Sequence, residues 1–88
     1  MLLVHLSPQF RRQFKKLPLA LQHEAFERIE DFKNTKNHER LHVHKLKGPL
    51  AGRRGFSVNY RYRIVFSYTD KSKGEVILLA VGDHEVYR

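Results

Sequence analysis

The stretch RRGFSVNYRYRIVFSYTD, residues 53–70, alternates between apolar and polar side chains and decides the fold. Successive side chains of a β-strand point to opposite faces, so this period predicts two consecutive strands. One face of the second strand should be apolar, and the other should carry Arg61 and Arg63. Residues 76–81, VILLAV, would be apolar on both faces of a strand, which predicts a third, central strand.

The N-terminal half has a helical period instead. Residues 2–6, LLVHL, predict a short first strand, and Ser7 and Pro8 follow as the N-cap and first residue of a helix. Apolar residues then recur every three or four positions, which predicts one helix up to Pro18 and a second from Pro18 to about Lys33. The short junction between them predicts a helical hairpin.

The predicted order of elements is therefore β-α-α-β-β-β, an α+β fold in which a three-strand antiparallel run packs on the helices. We expect a single domain over residues 1–88, because a chain of this length buries only one thin core. The glycine-rich segment KGPLAGRRG, residues 47–55, is predicted to be a mobile loop, and its glycine spacing matches no nucleotide-binding fingerprint. The sheet face away from the helices is expected to be open.

Charge indicates a polyanionic partner. The chain has 17 Lys and Arg against 9 Asp and Glu, and there is no acid between Glu39 and Asp70. That interval contains Arg40, Lys45, Lys47, Arg53, Arg54, Arg61 and Arg63. A one-sided positive field favours nucleic acid first and an acidic protein segment second, while a merely soluble basic surface is the alternative.

Other features of the composition limit the classes of protein. The absence of cysteine excludes disulfides and thiolate metal sites. The N-terminus does not have the organisation of a signal peptide, and no apolar run has the length of a membrane span. We therefore expect a soluble, cytoplasmic protein without a membrane partner.

Histidines and a terminal tyrosine are the candidate chemical groups. His84 comes directly after the predicted central strand. Histidine as a residue type suits proton donation near neutral pH, although a lone histidine is more often structural. Tyr87 either fills the core or stacks on a nucleobase. His42 and His44 would share one face of an extended segment, but no carboxylate or cysteine nearby completes a metal site. A proton-transfer group or a polar loop residue suits His44 better, and no metal or cofactor is expected.

Three motifs together resemble one family. HKLKG (residues 44–48), YRYRIVF (residues 60–66) and VGDHEVY (residues 81–87) are similar to the RelE/ParE superfamily of bacterial type II toxins, and nearly the whole chain takes part in the resemblance. The closing histidine and tyrosine resemble the RelE and YafQ type of ribosome-dependent mRNA interferase more than the ParE type of gyrase inhibitor.

The resemblance implies a role for individual residues. Arg63 would contact the scissile phosphate, and Arg54 would add a cation from the preceding strand. His84 corresponds to the C-terminal histidine that acts as an acid in YafQ-like members, His44 to the histidine ahead of the LKG segment, and Tyr87 to the terminal aromatic residue. Further contacts with RNA are expected from Lys45, Lys47, Arg53 and Arg61.

The chain also departs from the family pattern. Phe56 stands where RelE carries a second lysine, Ser57 stands where YafQ-like chains carry another histidine, and the interval from His84 to Tyr87 is shorter than usual. The general base is therefore left open. We expect Arg54, Arg63 and His84 to converge on one exposed patch that seats a phosphodiester.

The resulting hypothesis is the toxin of a type II toxin–antitoxin system, a metal-independent endoribonuclease that cleaves mRNA in the ribosomal A site. Its expected partners are a cognate antitoxin, in a hetero-oligomer, together with mRNA and ribosomal RNA. The alternatives are a ParE-like, non-catalytic inhibitor of DNA gyrase and a basic RNA-binding module without cleavage.

Overall fold

Five strands form one mixed sheet in the order β1-β5-β4-β3-β2. The computed structural model describes the backbone of residues 1–87 and their side chains except those of His84 and Tyr87. The strands are β1 (Leu3–Leu6), β2 (His44–Lys45), β3 (Arg54–Ser57), β4 (Tyr62–Tyr68) and β5 (Glu75–Asp83). β1 runs parallel to β5, and the remaining pairs are antiparallel. The α+β fold and its four predicted strands are confirmed, whereas β2 is too short to show a period in the sequence.

The two helices are α1 (Pro8–Lys15) and α2 (Leu19–Phe32). Ser7 is the N-cap of α1, as predicted: its Oγ accepts a hydrogen bond from the backbone N–H of Phe10 at 3.0 Å. Gln22 Nε2 donates to the carbonyl oxygen of Leu17 at 2.9 Å, which ties α2 to the end of α1. Within the described chain, no helix combines the length and the apolar character that crossing a bilayer requires.

The core lies between the helices and one face of the sheet, here called the core face. The ring of Phe32 stacks on Phe56 with their centroids 4.2 Å apart, and it meets Phe66 edge-on at 4.7 Å. All three side chains are fully buried. Aromatic pairs of this geometry add about 0.5–1.5 kcal/mol beyond their burial, so this cluster fixes α2 against β3 and β4.

The opposite face of the sheet, here called the outer face, is partly covered. Val65 and Ala80 are only 2% and 7% exposed, although neither belongs to the core cluster. Leu50, from the glycine-rich segment, and Val86, from the C-terminal residues, line a cleft of about 320 Å³ with them. The expectation of an open face is therefore corrected, because these two segments fold back over the sheet.

The turn between β4 and β5 is closed by Asp70. Its carboxylate accepts hydrogen bonds from the hydroxyl of Ser72 and from the backbone N–H groups of Glu75 and Gly74. These bonds, with that of Ser72 the largest contribution, lower the pKa of Asp70 below its ordinary value of 3.8. The turn returns the chain as β5, whose far end lies beside Arg63.

Candidate nucleic-acid interface

Arg63 lies on the outer face, at the end of the sheet where the chain terminates. It is paired with Ser57 on β3 and with Gly82 on β5. Its Nη1 donates hydrogen bonds to the backbone oxygens of Asn59, at 2.7 Å, and of Tyr62, at 3.2 Å. No carboxylate in the described part of the chain forms an ion pair with it. The guanidinium is therefore held in place by neutral partners and keeps its full charge for an anion.

The C-terminal turn, residues His84–Tyr87, is a 3₁₀ helix that follows β5. It packs against the ends of β4 and β5. A Cβ built on Gly82 would lie 3.6 Å from Cβ of Val86, so Val86 sits over the residue opposite Arg63. The backbone thus brings His84 to within two residues of that position. The side chains of His84 and Tyr87, on which two predicted roles depend, lie outside the described residues.

Arg54 is not part of this arrangement. It pairs with the buried Phe66 and lies two residues before the buried Phe56 in β3, so it belongs to the core face. Its guanidinium carbon lies 5.2 Å from the ring centroid of Tyr68, a residue that packs against the core. Arg54 and Arg63 therefore point to opposite faces of the sheet. The prediction that they converge on one patch is wrong. Arg54 and Phe56 lie on the same face of β3, so the burial of Phe56 in the core places Arg54 on the face opposite to Arg63.

His44 lies at the edge of the outer face, opposite Gly55. Spacings of about 4.8 Å between strands and 3.3 Å between residues put its Cα roughly 12 Å from that of Arg63. Its Nδ1 hydrogen-bonds to the carbonyl oxygen of His42 at 2.7 Å, and a carbonyl only accepts, so the proton is on Nδ1. His42 has φ 59°, which breaks the extended segment. The expectation that the two histidines share a strand face is therefore wrong.

The remaining predicted cations are distributed around the outer cleft and the hairpin. Arg53 lines the 320 Å³ cleft on the outer face. Lys47 is exposed and directly precedes Gly48 in the glycine-rich segment. Arg61 lies in the β3–β4 connection, with its guanidinium carbon 5.6 Å from the ring centroid of Tyr62. Lys45 pairs with Arg54 and so belongs to the other side of the sheet. Among the described residues, no group of three or more His, Asp or Glu side chains could hold a metal ion.

A second cleft, of about 450 Å³, adjoins Arg63 and contains two cations that the sequence prediction did not assign to a site. Arg28 of α2 and Arg40 of the following connection line it together with Arg63. We call this cleft the arginine pocket. Arg40 is the first residue of the interval without acids, and this position is a weak sequence signal that it belongs to a basic site. Arg28 lies among the acids of α2, and only the packing of α2 brings it to Arg63.

No family model and no curated protein matches this chain. Solved structures do match. The toxin–antitoxin complex RelBE2 from Mycobacterium tuberculosis has a chain with a TM-score of 0.69 and 23% identity, covering 94% of this chain and 98% of that one. The YoeB–YefM complex from Staphylococcus aureus matches with a TM-score of 0.71 and 19% identity, over 96% of this chain and 98% of the other.

An archaeal RelE–RelB complex, from Pyrococcus horikoshii, matches with a TM-score of 0.68 and 20% identity over 93% of both chains. The alignments span almost the whole of every chain, so the similarity extends over the sheet and both helices. The chain therefore has the fold of RelE-type toxins.

Proposed function

We propose that this chain is the toxin of a type II toxin–antitoxin system and that it cleaves mRNA in the ribosomal A site. The observation that carries the proposal is Arg63, a cation held by the carbonyl oxygens of Asn59 and Tyr62 beside the start of the C-terminal turn. An arginine positioned in this way suits a phosphate that gains negative charge during reaction.

In the proposed reaction the ribose 2′-hydroxyl attacks the adjacent phosphorus, and the bond from phosphorus to the 5′-oxygen breaks. Arg63 stabilises the charge that builds on the phosphoryl oxygens. Protonated His84 transfers its proton to the departing 5′-oxygen, and a base takes the proton of the 2′-hydroxyl. The products are a 2′,3′-cyclic phosphate and a 5′-hydroxyl, without any metal ion.

His44 is the base that this proposal favours. Its bond to the carbonyl of His42 keeps the proton on Nδ1, so the neutral ring carries its lone pair on Nε2. General acid–base catalysis contributes about 10²–10⁴-fold in rate, and a well-placed cation about 10²–10³-fold. The rest would come from the ribosome, which holds the mRNA in line for attack.

The other proposed contacts follow from charge and position. Arg53, Lys47 and Arg61 are exposed and would contact mRNA and ribosomal RNA, while Tyr87 would stack on a base. Lys45 and Arg54 lie on the other side of the sheet, so we leave Arg54 out of the catalytic set. Some of the matching solved structures are toxin–antitoxin complexes, which supports a cognate antitoxin as the partner. The cytoplasm is the compartment that we propose for the complex.

The test is to map mRNA ends after brief induction of the chain in cells. Cuts within translated codons should appear with the wild type and should fall about 10²-fold or more with Arg63→Gln and with His84→Ala. Arg12→Gln removes an equal charge from an exposed position of α1 and serves as the matched control. Far-ultraviolet circular dichroism of each purified variant verifies that it is folded.

The outcomes separate the candidate functions. Loss of cutting in Arg63→Gln and His84→Ala, with cutting retained in Arg12→Gln, supports the proposal. Uncut mRNA together with inhibition of purified gyrase would identify a gyrase inhibitor and overturn it. Salt-dependent binding of RNA without cleavage, with or without ribosomes, would leave only a binding module.

A further inference from the structure

The arginine pocket has the composition of an anion site. Three arginines line it from separate parts of the fold, namely α2, the connection after α2, and β4. Its floor includes Leu41 and Val58, which are 3% and 4% exposed. Charges gathered beside a low-dielectric wall attract a counter-ion more strongly than the same charges spread over a surface.

The carboxylates of the neighbourhood do not neutralise this cluster. Asp31 Oδ2 lies 3.3 Å from Nε of Arg28 and 3.6 Å from Nη2 of Arg40, so one carboxylate serves two cations. Nε of Arg28 is buried and makes no hydrogen bond in the described structure, so its contact with Asp31 is an ion pair only. Nδ2 of Asn59 donates to Oε1 of Glu24 at 2.8 Å, and that carboxylate keeps its charge. Three arginines against the carboxylates of Asp31 and Glu24 still leave a positive surplus.

Tyr60 completes the pocket with an aromatic surface. It lines the cleft and is 92% exposed, so its ring is available to stack on a base. Cations that follow the backbone, combined with exposed rings on which bases stack, are the combination that binds single-stranded nucleic acid. An acidic peptide would use the cations and leave the ring without a function.

We propose that the arginine pocket binds the phosphate of the nucleotide next to the cleavage site, with the base of that nucleotide stacked on Tyr60. Arg28 and Arg40 are its phosphate ligands, and Arg63 stands between this site and the scissile phosphate. The inference rests on the proposed function for the identity of the ligand, a single RNA strand. It adds a binding site that fixes the register of the strand relative to Arg63.

The test is binding of a 2′-O-methylated RNA hexanucleotide, which is not cleaved, to the purified chain. Arg28→Gln and Arg40→Gln should each weaken binding roughly tenfold, because each removes a charge-assisted hydrogen bond. Each should also lower the slope of log K against log salt by about 0.7. Tyr60→Ala should weaken binding roughly tenfold without changing that slope. Arg12→Gln is the matched control for charge and should bind nearly as the wild type does.

Arg28→Lys tests the geometry of the phosphate contact. It keeps the charge but loses the planar fork, so it should bind more weakly than the wild type and more tightly than Arg28→Gln. Amide chemical shifts in the titration should move at residues 40–42 and 57–60. Inorganic phosphate measured in the same way reports on a general anion site. If phosphate bound as tightly as the hexanucleotide, the nucleotide site would be refuted.

Failure of this inference differs from failure of the proposed function. Unchanged hexanucleotide binding in Arg28→Gln, Arg40→Gln and Tyr60→Ala would overturn the pocket, even if Arg63→Gln abolished mRNA cutting. Conversely, loss of binding in these variants would support the pocket even if no mRNA were cut in cells. Urea unfolding of each variant separates lost contacts from lost fold.

Discussion

Replacing Phe56 by lysine tests which face of β3 is buried, and with it the separation of Arg54 from Arg63 by the sheet. In the resemblance to RelE, Phe56 stands where that family member carries a second lysine. In the structure Phe56 is fully buried and stacks on Phe32 at a centroid distance of 4.2 Å, with Phe66 at 5.9 Å. Phe56→Lys should therefore unfold the protein and should not improve catalysis.

The expected loss is comparable to the whole stability of a small domain. Removing a buried phenylalanine side chain costs about 3–5 kcal/mol. That figure already includes the lost aromatic contacts, and a buried ammonium group without a partner costs several kcal/mol more. A domain of 88 residues has a total stability of about 4–13 kcal/mol. Phe56→Lys should consequently be largely unfolded at neutral pH.

The assay is urea unfolding followed by circular dichroism, with Ser57→Lys as the control. Ser57 is the next residue, faces the other way and is only half-buried, so its substitution should change stability by less than about 1 kcal/mol. A folded Phe56→Lys variant with an unchanged unfolding midpoint would refute the assignment. Arg54 and Arg63 would then have to be placed on one face after all.

Three further predictions concern the elements that hold the site in place. Gln13→Ala leaves the backbone N–H of Val81, which donates to Gln13 Oε1 at 2.8 Å, without its acceptor, so thermal unfolding should show a loss of about 1–3 kcal/mol. Ser7→Ala removes the N-cap of α1 and should cost about 1 kcal/mol in urea unfolding, whereas Ser7→Asp should retain most of the stability. Asp70 has a lowered pKa, so its hydrogen bonds stabilise the fold above the unfolded value near 3.8 and are lost as pH falls through the lower folded value. Asp70→Ala should therefore unfold at lower urea than the wild type at pH 7, and the difference should vanish in strong acid; a difference that persists there would contradict the assignment.

The site was only partly predictable from the chain. The position of Arg63 on the face away from the helices follows from the alternation of residues 62–68, and the structure confirms it. The same alternation places Arg54 with the buried Phe56, but the resemblance to RelE favoured the opposite assignment. Local periodicity was the better predictor of the face on which Arg54 lies, because a buried phenylalanine determines which residues of its strand face the core.

The sequence by itself determined the order of both helices and of four of the five strands, together with the excess of positive charge. Ser7 and Pro8 start a helix, and alternation marks strands, because both signals depend on interactions within a few residues. Only the tertiary structure decided which cations line the same cleft. Arg28, Arg40 and Arg63 are brought together by the packing of Phe32 on Phe56 and Phe66, and β1 joins β5 across most of the chain. Such contacts depend on the summed burial of distant residues, which no local pattern contains.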